Sequence, residues 1–184
     1  MKKTVVYFVR HADSPYIPGQ ERTRGLSEKG QRDARRVCAI LQQEQIDVFV
    51  SSPYERAIQT IKAAAGNSEM IQYEDLRERS IGNSREHSFR ESKRMAYEDF
   101  DHSFPEGESS RSAQQRAVAT FLQLLVRHEG QKIAIGTHGD IMTLMMNHFD
   151  PAYHFEFWES TSMPDIYKLE FEGTRLIEVT RVWK

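Results

Sequence analysis

The sequence predicts an α/β fold, a three-layer α/β/α sandwich whose mostly parallel sheet ends in a C-terminal edge hairpin. Three observations predict it. Apolar runs of strand length are followed by segments with helical spacing, the alternation of a sheet covered on both faces. Those runs are apolar at consecutive positions, as doubly buried strands are. Strict apolar–polar alternation appears only near the C-terminus, where it marks a hairpin with one solvated face.

Val5-Val6-Tyr7-Phe8-Val9 is the first strand. Ser27 then caps a helix that places Ala34, Val37, Cys38 and Leu41 on one face. Ile46 to Val50 forms the second strand. Ser52-Pro53 reads as the cap and first turn of another helix, which turns Ala57, Ile58, Ile61 and Ala65 inward and stops at Gly66. Residues 79–107 are charged, aromatic and not clearly periodic, and read as a cap-like insertion over one end of the sheet. After Gly107-Glu108-Ser109 a long helix carries Ala113, Ala117, Phe121, Leu124 and Leu125 at core spacing and ends at Gly130. Ile133-Ala134-Ile135-Gly136 is a further buried strand. Met142, Met145 and Met146 then follow helical spacing as core filling. Tyr167, Leu169 and Phe171 alternate with Lys168, Glu170 and Glu172, Gly173-Thr174 turns the chain, and Ile177 and Val179 alternate again.

Composition narrows the classes. The 184 residues suit one domain, 1–184, and 39% hydrophobic content is too high for a disordered chain. Lys and Arg number 25 against 27 Asp and Glu, a balance that argues against bulk nucleic-acid binding. The single cysteine, Cys38, excludes an internal disulfide framework. The apolar run after Lys3 is too short for a signal peptide, and nothing approaches the ~18 apolar residues of a membrane span. A soluble, cytoplasmic protein with no membrane partner is expected.

In open parallel sheets ligands bind beyond the carboxyl ends of the strands. Three polar clusters fall there: Arg10-His11-Ala12-Asp13, Ser51 to Arg56, and Thr137-His138-Gly139-Asp140. Two guanidinium forks match phosphate oxygens, and Arg56 sits at a helix start, where the dipole also favours an anion. A neutral imidazole beside them can attack phosphorus. A second imidazole, protonated, would balance charge on the transferring group. This combination predicts phosphoryl transfer through histidine.

Val9-Arg10-His11-Ala12, Ser51 to Thr60, Leu76-Arg77-Glu78 with Gly82 after it, and Thr137-His138-Gly139 together resemble the motifs of the histidine phosphatase superfamily, the phosphoglycerate-mutase-like proteins. Leu26 to Gln31 and Pro105 to Ser109 match secondary motifs of that family. Two departures stand out. Ala12 replaces the usual glycine, and Asn83-Ser84-Arg85-Glu86-His87 replaces the usual continuation after Gly82. The resemblance implies that His11 becomes a phosphohistidine. It implies that Arg10, Arg56, His138 and Gly139 bind the phosphoryl group, that His138 and Glu78 share in catalysis, and that Glu78 is the general acid. No metal and no cofactor are expected, and the partner is a phosphorylated small molecule. The short insertion favours a phosphatase over a phosphoglycerate mutase-type phosphotransferase.

Rival readings are weaker. His11-Ala12-Asp13 and His138-Gly139-Asp140 imitate metal-ligand pairs, but arginines crowd them, and Asp140 is expected to cap or charge a helix start. Gly25 to Gly30 has P-loop spacing without the Lys and Ser or Thr that motif needs. Basic residues interleaved with aromatics from Arg85 to Arg94 admit an RNA- or protein-binding module. Glu74 and Asp75 are the alternatives to Glu78 as the acid.

Overall fold

The computed structural model describes residues 2–184. Six strands form one sheet: β1 (Lys3–Arg10), β2 (Val48–Ser51), β3 (Met70–Gln72), β4 (Lys132–Thr137), β5 (Asp165–Glu172) and β6 (Arg175–Arg181). Their order is β3-β2-β4-β1-β5-β6. β3, β2, β4 and β1 are parallel, whereas β5 and β6 add antiparallel as the hairpin beside β1. The helices are α1 (Glu28–Glu44), α2 (Glu55–Ala65), α3 (Phe89–Glu98), α4 (Ser110–Arg127), α5 (Gly139–Phe149) and α6 (Phe155–Ser160), with a single 3₁₀ turn at Glu74–Leu76.

The consecutive apolar residues of β1 serve two faces because side chains alternate along a strand. Val6 and Phe8 join Ile133 and Ile135 against Phe121, Leu124 and Leu125 of α4 and Met142, Met145 and Met146 of α5. Val5, Tyr7 and Val9 join Phe49 and Ala134 against Val37 and Leu41 of α1 and Ile61 and Ala65 of α2. Register then aligns the strand ends: Arg10 pairs with Thr137, and Ser51 with Gly136. Among the described residues no helix is long and apolar enough to cross a membrane.

Ser27 caps α1 by accepting the Gly30 N–H at 3.0 Å. Its own N–H donates to the Asp13 carbonyl at 2.9 Å, and its hydroxyl to the Asp13 carboxylate at 2.5 Å. The close approach requires Gly30, since a Cβ there would lie 2.2 Å from the Asp13 carbonyl oxygen. The loop leaving β1 is thereby fixed to α1.

Three details depart from the sequence reading. α2 begins at Glu55 with Tyr54 at its N-cap, and no side chain caps it. Ser52 is too far upstream to cap; its hydroxyl accepts the Tyr54 N–H and is shared with His138. Cys38 is half-buried, because the buried stripe of α1 runs through Gly30, Ala34, Val37 and Leu41 and leaves Cys38 at its margin. The insertion holds a regular helix, α3, closed by a Ser88–Glu91 capping box. Its buried side is Ser92, Lys93, Ala96 and Tyr97, so no apolar period announces it.

Phe121 is fully buried, with its ring 5.2 Å from Phe8 and 5.6 Å from Phe171. Phe121→Ala is expected to lower unfolding free energy by about 3–5 kcal/mol in a denaturant titration. A loss below about 1 kcal/mol would show that this side of the sheet is not the core.

Candidate active site

The aligned ends of β1, β4 and β2 place His11, His138 and Ser52 side by side. Backbone bonds just beyond the strands hold them: the His11 N–H donates to the Thr137 carbonyl at 3.0 Å, and the Ser52 N–H to the Gly136 carbonyl at 2.9 Å. The two imidazole centroids are 5.3 Å apart, and the Tyr54 ring stands 5.3 Å from His138. The Ala12 N–H donates to Thr60 Oγ1 at 3.0 Å, which ties the histidine loop to α2.

His11 Nδ1 lies 2.8 Å from the Ala12 carbonyl oxygen. A carbonyl only accepts, so Nδ1 carries the proton and Nε2 keeps its lone pair. Burial lowers the His11 pKa to about 3, assisted by the charges of Arg56, Arg10 and Arg24. The ring is therefore neutral at physiological pH. Burial also lowers His138 well below its ordinary value, with Arg56, His11 and Arg10 adding to the effect. The expected proton on His138 is thus not favoured by its protein surroundings; only an anion brought into the site can supply the opposing charge.

Arg10 donates from Nη1 to Thr161 Oγ1 at 2.6 Å. Arg56, 1% exposed, donates to the Glu21 carbonyl and carboxylate, each at 2.5 Å. Arg24 donates to the carbonyl and hydroxyl of Ser14, both at 2.9 Å. Each guanidinium keeps a buried Nε without a partner, as does Nδ1 of His138. Among the described residues eight buried side-chain polar atoms lack a partner, and six belong to Arg10, Arg24, Ser51, Arg56, Thr137 and His138. Buried donors are seldom left unpaired; three of the six belong to the cavity-lining Arg10, Arg24 and Arg56, and guanidiniums gathered in this way suit an oxyanion with several acceptor oxygens. Gly139 serves this cluster by having no side chain: a Cβ there would stand 2.7 Å from the Arg10 guanidinium carbon.

Glu78 sits at the N-terminus of α5. Its carboxyl accepts the N–H groups of Arg79 at 2.9 Å, Asp140 at 3.1 Å and Ile141 at 2.9 Å. Desolvation and then the negative charge of Asp140 raise its pKa, with Lys93 and the backbone donors opposing. Asp140 does not cap α5; its carboxylate is wholly buried against other partners. It receives Arg79 Nε at 2.7 Å, Arg79 Nη2 at 3.1 Å, the Tyr97 hydroxyl at 2.6 Å, and an ion pair from Lys93. Arg79 and Lys93 hold its pKa below the usual carboxylate range.

All six residues singled out from the sequence, Arg10, His11, Arg56, Glu78, His138 and Gly139, meet at the carboxyl end of the sheet, and Arg10, His11, Arg56 and Glu78 line a cavity of about 800 Å³. Glu74 and Asp75 are exposed and engage Arg22 and Arg77 instead. Asp13 turns to Ser27 and Asp140 to Arg79, so neither His-x-Asp pair directs its carboxylate to its own imidazole. The basic stretch of the insertion is also divided, since Arg90 pairs with Glu159 while Lys93 is buried. Sequence reasoning missed Arg24, Arg79 and Lys93. Arg79, next to Glu78 in the chain, was the most accessible of these signals.

The parallel core and the paired imidazoles at its carboxyl edge have the phosphoglycerate-mutase-like architecture. A family model of the histidine phosphatase superfamily (branch 1) matches residues 6–182, and the chain belongs to that superfamily. Phosphoglycerate mutase-like protein 4 of Arabidopsis thaliana is 28% identical over 140 residues, 69% of this chain but only 61% of the plant protein's length. Among solved structures, phosphoserine phosphatase of Entamoeba histolytica in complex with 3-phosphoglyceric acid is similar, with a TM-score of 0.81, 18% identity and 98% of each chain covered. YhfR of Bacillus stearothermophilus has a TM-score of 0.75 and 24% identity over 95% of this chain and 94% of its own. The mycobacterial glucosyl-3-phosphoglycerate phosphatase has a TM-score of 0.75 and 17% identity, covering 98% and 97% of the two chains.

Gly139→Ala is expected to displace the Arg10 guanidinium and weaken inorganic phosphate binding at least about tenfold, a loss comparable to one charge-assisted bond. Calorimetric titration with phosphate reads this directly. Unchanged affinity would show that Arg10 does not need the space.

Proposed function

We propose that the protein is a phosphatase that hydrolyses a phosphorylated small molecule, a phosphomonoester, through a phosphohistidine on His11. The observation that carries this reading is the bond from His11 Nδ1 to the Ala12 carbonyl, which leaves an unprotonated Nε2 among three arginines. In the first step the Nε2 lone pair attacks phosphorus and the bond to the leaving oxygen breaks. The Glu78 carboxyl gives its proton to that oxygen. In the second step water attacks phosphorus, Glu78 takes a proton from it, and the N–P bond breaks to return neutral His11 and phosphate.

Arg10 and Arg56 hold the phosphoryl oxygens, with Arg24 beside them. His138 gains its proton as the dianion arrives and then stabilises charge on the transferring group. Gly139 supports binding by making room for Arg10. The arginines supply the positive charge that a divalent ion supplies elsewhere, so no metal is required. Glu78 suits both of its tasks: its raised pKa retains a proton for the first step, and its three backbone donors hold the carboxylate formed afterwards. A phosphoglycerate mutase-type transfer would use the same groups. Hydrolysis is preferred because the insertion contributes one ten-residue helix, little to retain an intermediate while it turns over.

His11→Ala is expected to abolish turnover. Wild-type protein quenched during turnover should carry an acid-labile, alkali-stable phosphoryl group on His11; phosphate found on serine or aspartate would overturn the mechanism.

For Glu78→Gln the expected loss in single-turnover phosphoenzyme formation is about 10²–10⁴-fold with an alkyl phosphate and much smaller with nitrophenyl phosphate, whose leaving group needs no proton. Since Glu78 acts as an acid only while protonated, the wild-type rate on the alkyl ester falls as pH rises through its raised pKa. The glutamine variant should lack that fall. Equal losses on both esters would move Glu78 from proton transfer to binding.

A further inference from the structure

The cavity over His11 changes character away from its phosphoryl floor. Arg10, Arg24 and Arg56 gather near the two imidazoles. The other cations lining it are Arg79 and Lys93, and both are committed elsewhere. Arg79 holds both oxygens of the buried Asp140. Lys93 is ion-paired to the same carboxylate, and its Nζ lies 5.1 Å from the Phe89 ring centroid and 5.7 Å from that of Trp158. Arg90, nearby on α3, is turned to Glu159 and to the face of Phe155.

Beyond those cations the lining is mixed: Ser14, Glu21, Ser80 and Ser84 are polar, and the rest of the mouth carries apolar surface. Six large apolar side chains are exposed among the described residues; Tyr16 at 74%, Phe89 at 63% and Met163 at 42% are three of them. These three line this one cavity, together with the half-buried Trp158, whose ring centroid is 6.1 Å from that of Phe89. Exposed apolar groups scattered singly need no explanation, but a set gathered at the mouth of a charged pocket marks a binding surface.

We infer that Tyr16, Phe89, Trp158 and Met163 form the subsite for the leaving group, and that the substrate is a monophosphate ester whose remainder is flat, apolar and uncharged. This rests on the phosphatase reading, which seats the phosphoryl group at His11. A substrate carboxylate beside Phe89 and Trp158 meets no uncommitted cation, since an ion pair with Arg79 or Lys93 would draw that group from Asp140 and leave a buried charge underpaired. An aromatic remainder makes no such demand. It buries its faces and edges against Phe89 and Trp158 and meets the Lys93 ammonium through its ring face.

The test compares primary alkyl phosphates, so that leaving-group acidity is similar throughout: 2-(1-naphthyl)ethyl phosphate, ethyl phosphate and 3-phosphoglycerate with its carboxylate. The wild-type protein gives kcat/KM for each, and calorimetry on His11→Ala gives binding without turnover. The naphthyl ester is expected to exceed each of the other two by at least about tenfold in both measurements, the scale of one well-made aromatic contact. Phe89→Ala, a change at an exposed position, should collapse the naphthyl-to-ethyl ratio mainly through KM, and Trp158→Leu should do the same. Preference for 3-phosphoglycerate, no preference, or a ratio indifferent to Phe89→Ala overturns the inference. Binding preference for the naphthyl ester with no turnover of any ester would instead overturn the phosphatase reading and support the subsite.

Discussion

Asp140 is a charge sealed from water, and segments with no shared strand converge on it. Arg79 reaches it from the first residue of the 79–107 segment, Lys93 and Tyr97 reach it from α3, and Asp140 itself lies in the first turn of α5. Arg79 continues to Ser110 at the start of α4, at 2.9 Å. Taking one partner from such a cluster strands a buried charge, at a cost of about 3–5 kcal/mol. The insertion is therefore fastened to the sheet by ion pairs as well as by apolar contact. The Asp140 N–H also binds Glu78, so the same residue that seats the insertion seats the proposed acid.

The same cluster divides the cations of the cavity into two populations. Those near His11 retain unpartnered donors, while those under α3 are neutralised by Asp140. The three arginines have a second effect, for they help keep both imidazoles uncharged. In the proposed mechanism a pocket dense in positive charge thus preserves a neutral nucleophile, the arginines that would receive the anion being the same groups that oppose a proton on either ring.

The sheet and much of the site were legible because each left a local mark in the chain. Doubly buried strands read as continuous apolar runs, and Arg10, His11, Arg56 and His138 stand immediately beyond such runs or at the helix that follows. α3 was illegible for a physical reason: its inward face is polar, with Lys93 and Tyr97 meeting a charge supplied about fifty residues later in the chain. Ser52 was misread because its local context, a serine before a proline, is that of a cap, whereas its partner is His138 across the sheet. Arg24 lies in an irregular loop and joins the site only through Ser14 and Glu21. Long-range polar pairing, invisible to any local pattern, accounts for α3 and Ser52, while Arg24 was hidden by a loop with no periodic pattern.

The sheet ends differently on its two sides. β3 is three residues long, too short to offer a ladder, while β6 is longer but mostly exposed, with Arg175, Glu178 and Arg181 along it. An incoming strand would find either too few backbone groups to pair or a row of mixed charges to desolvate. The chain can therefore keep four strands in parallel without recruiting a neighbour's, and one of the charges that guard the β6 edge reaches the rim of the candidate site, since Arg181 holds Asp165 and Ser162 on either side of the cavity-lining Met163.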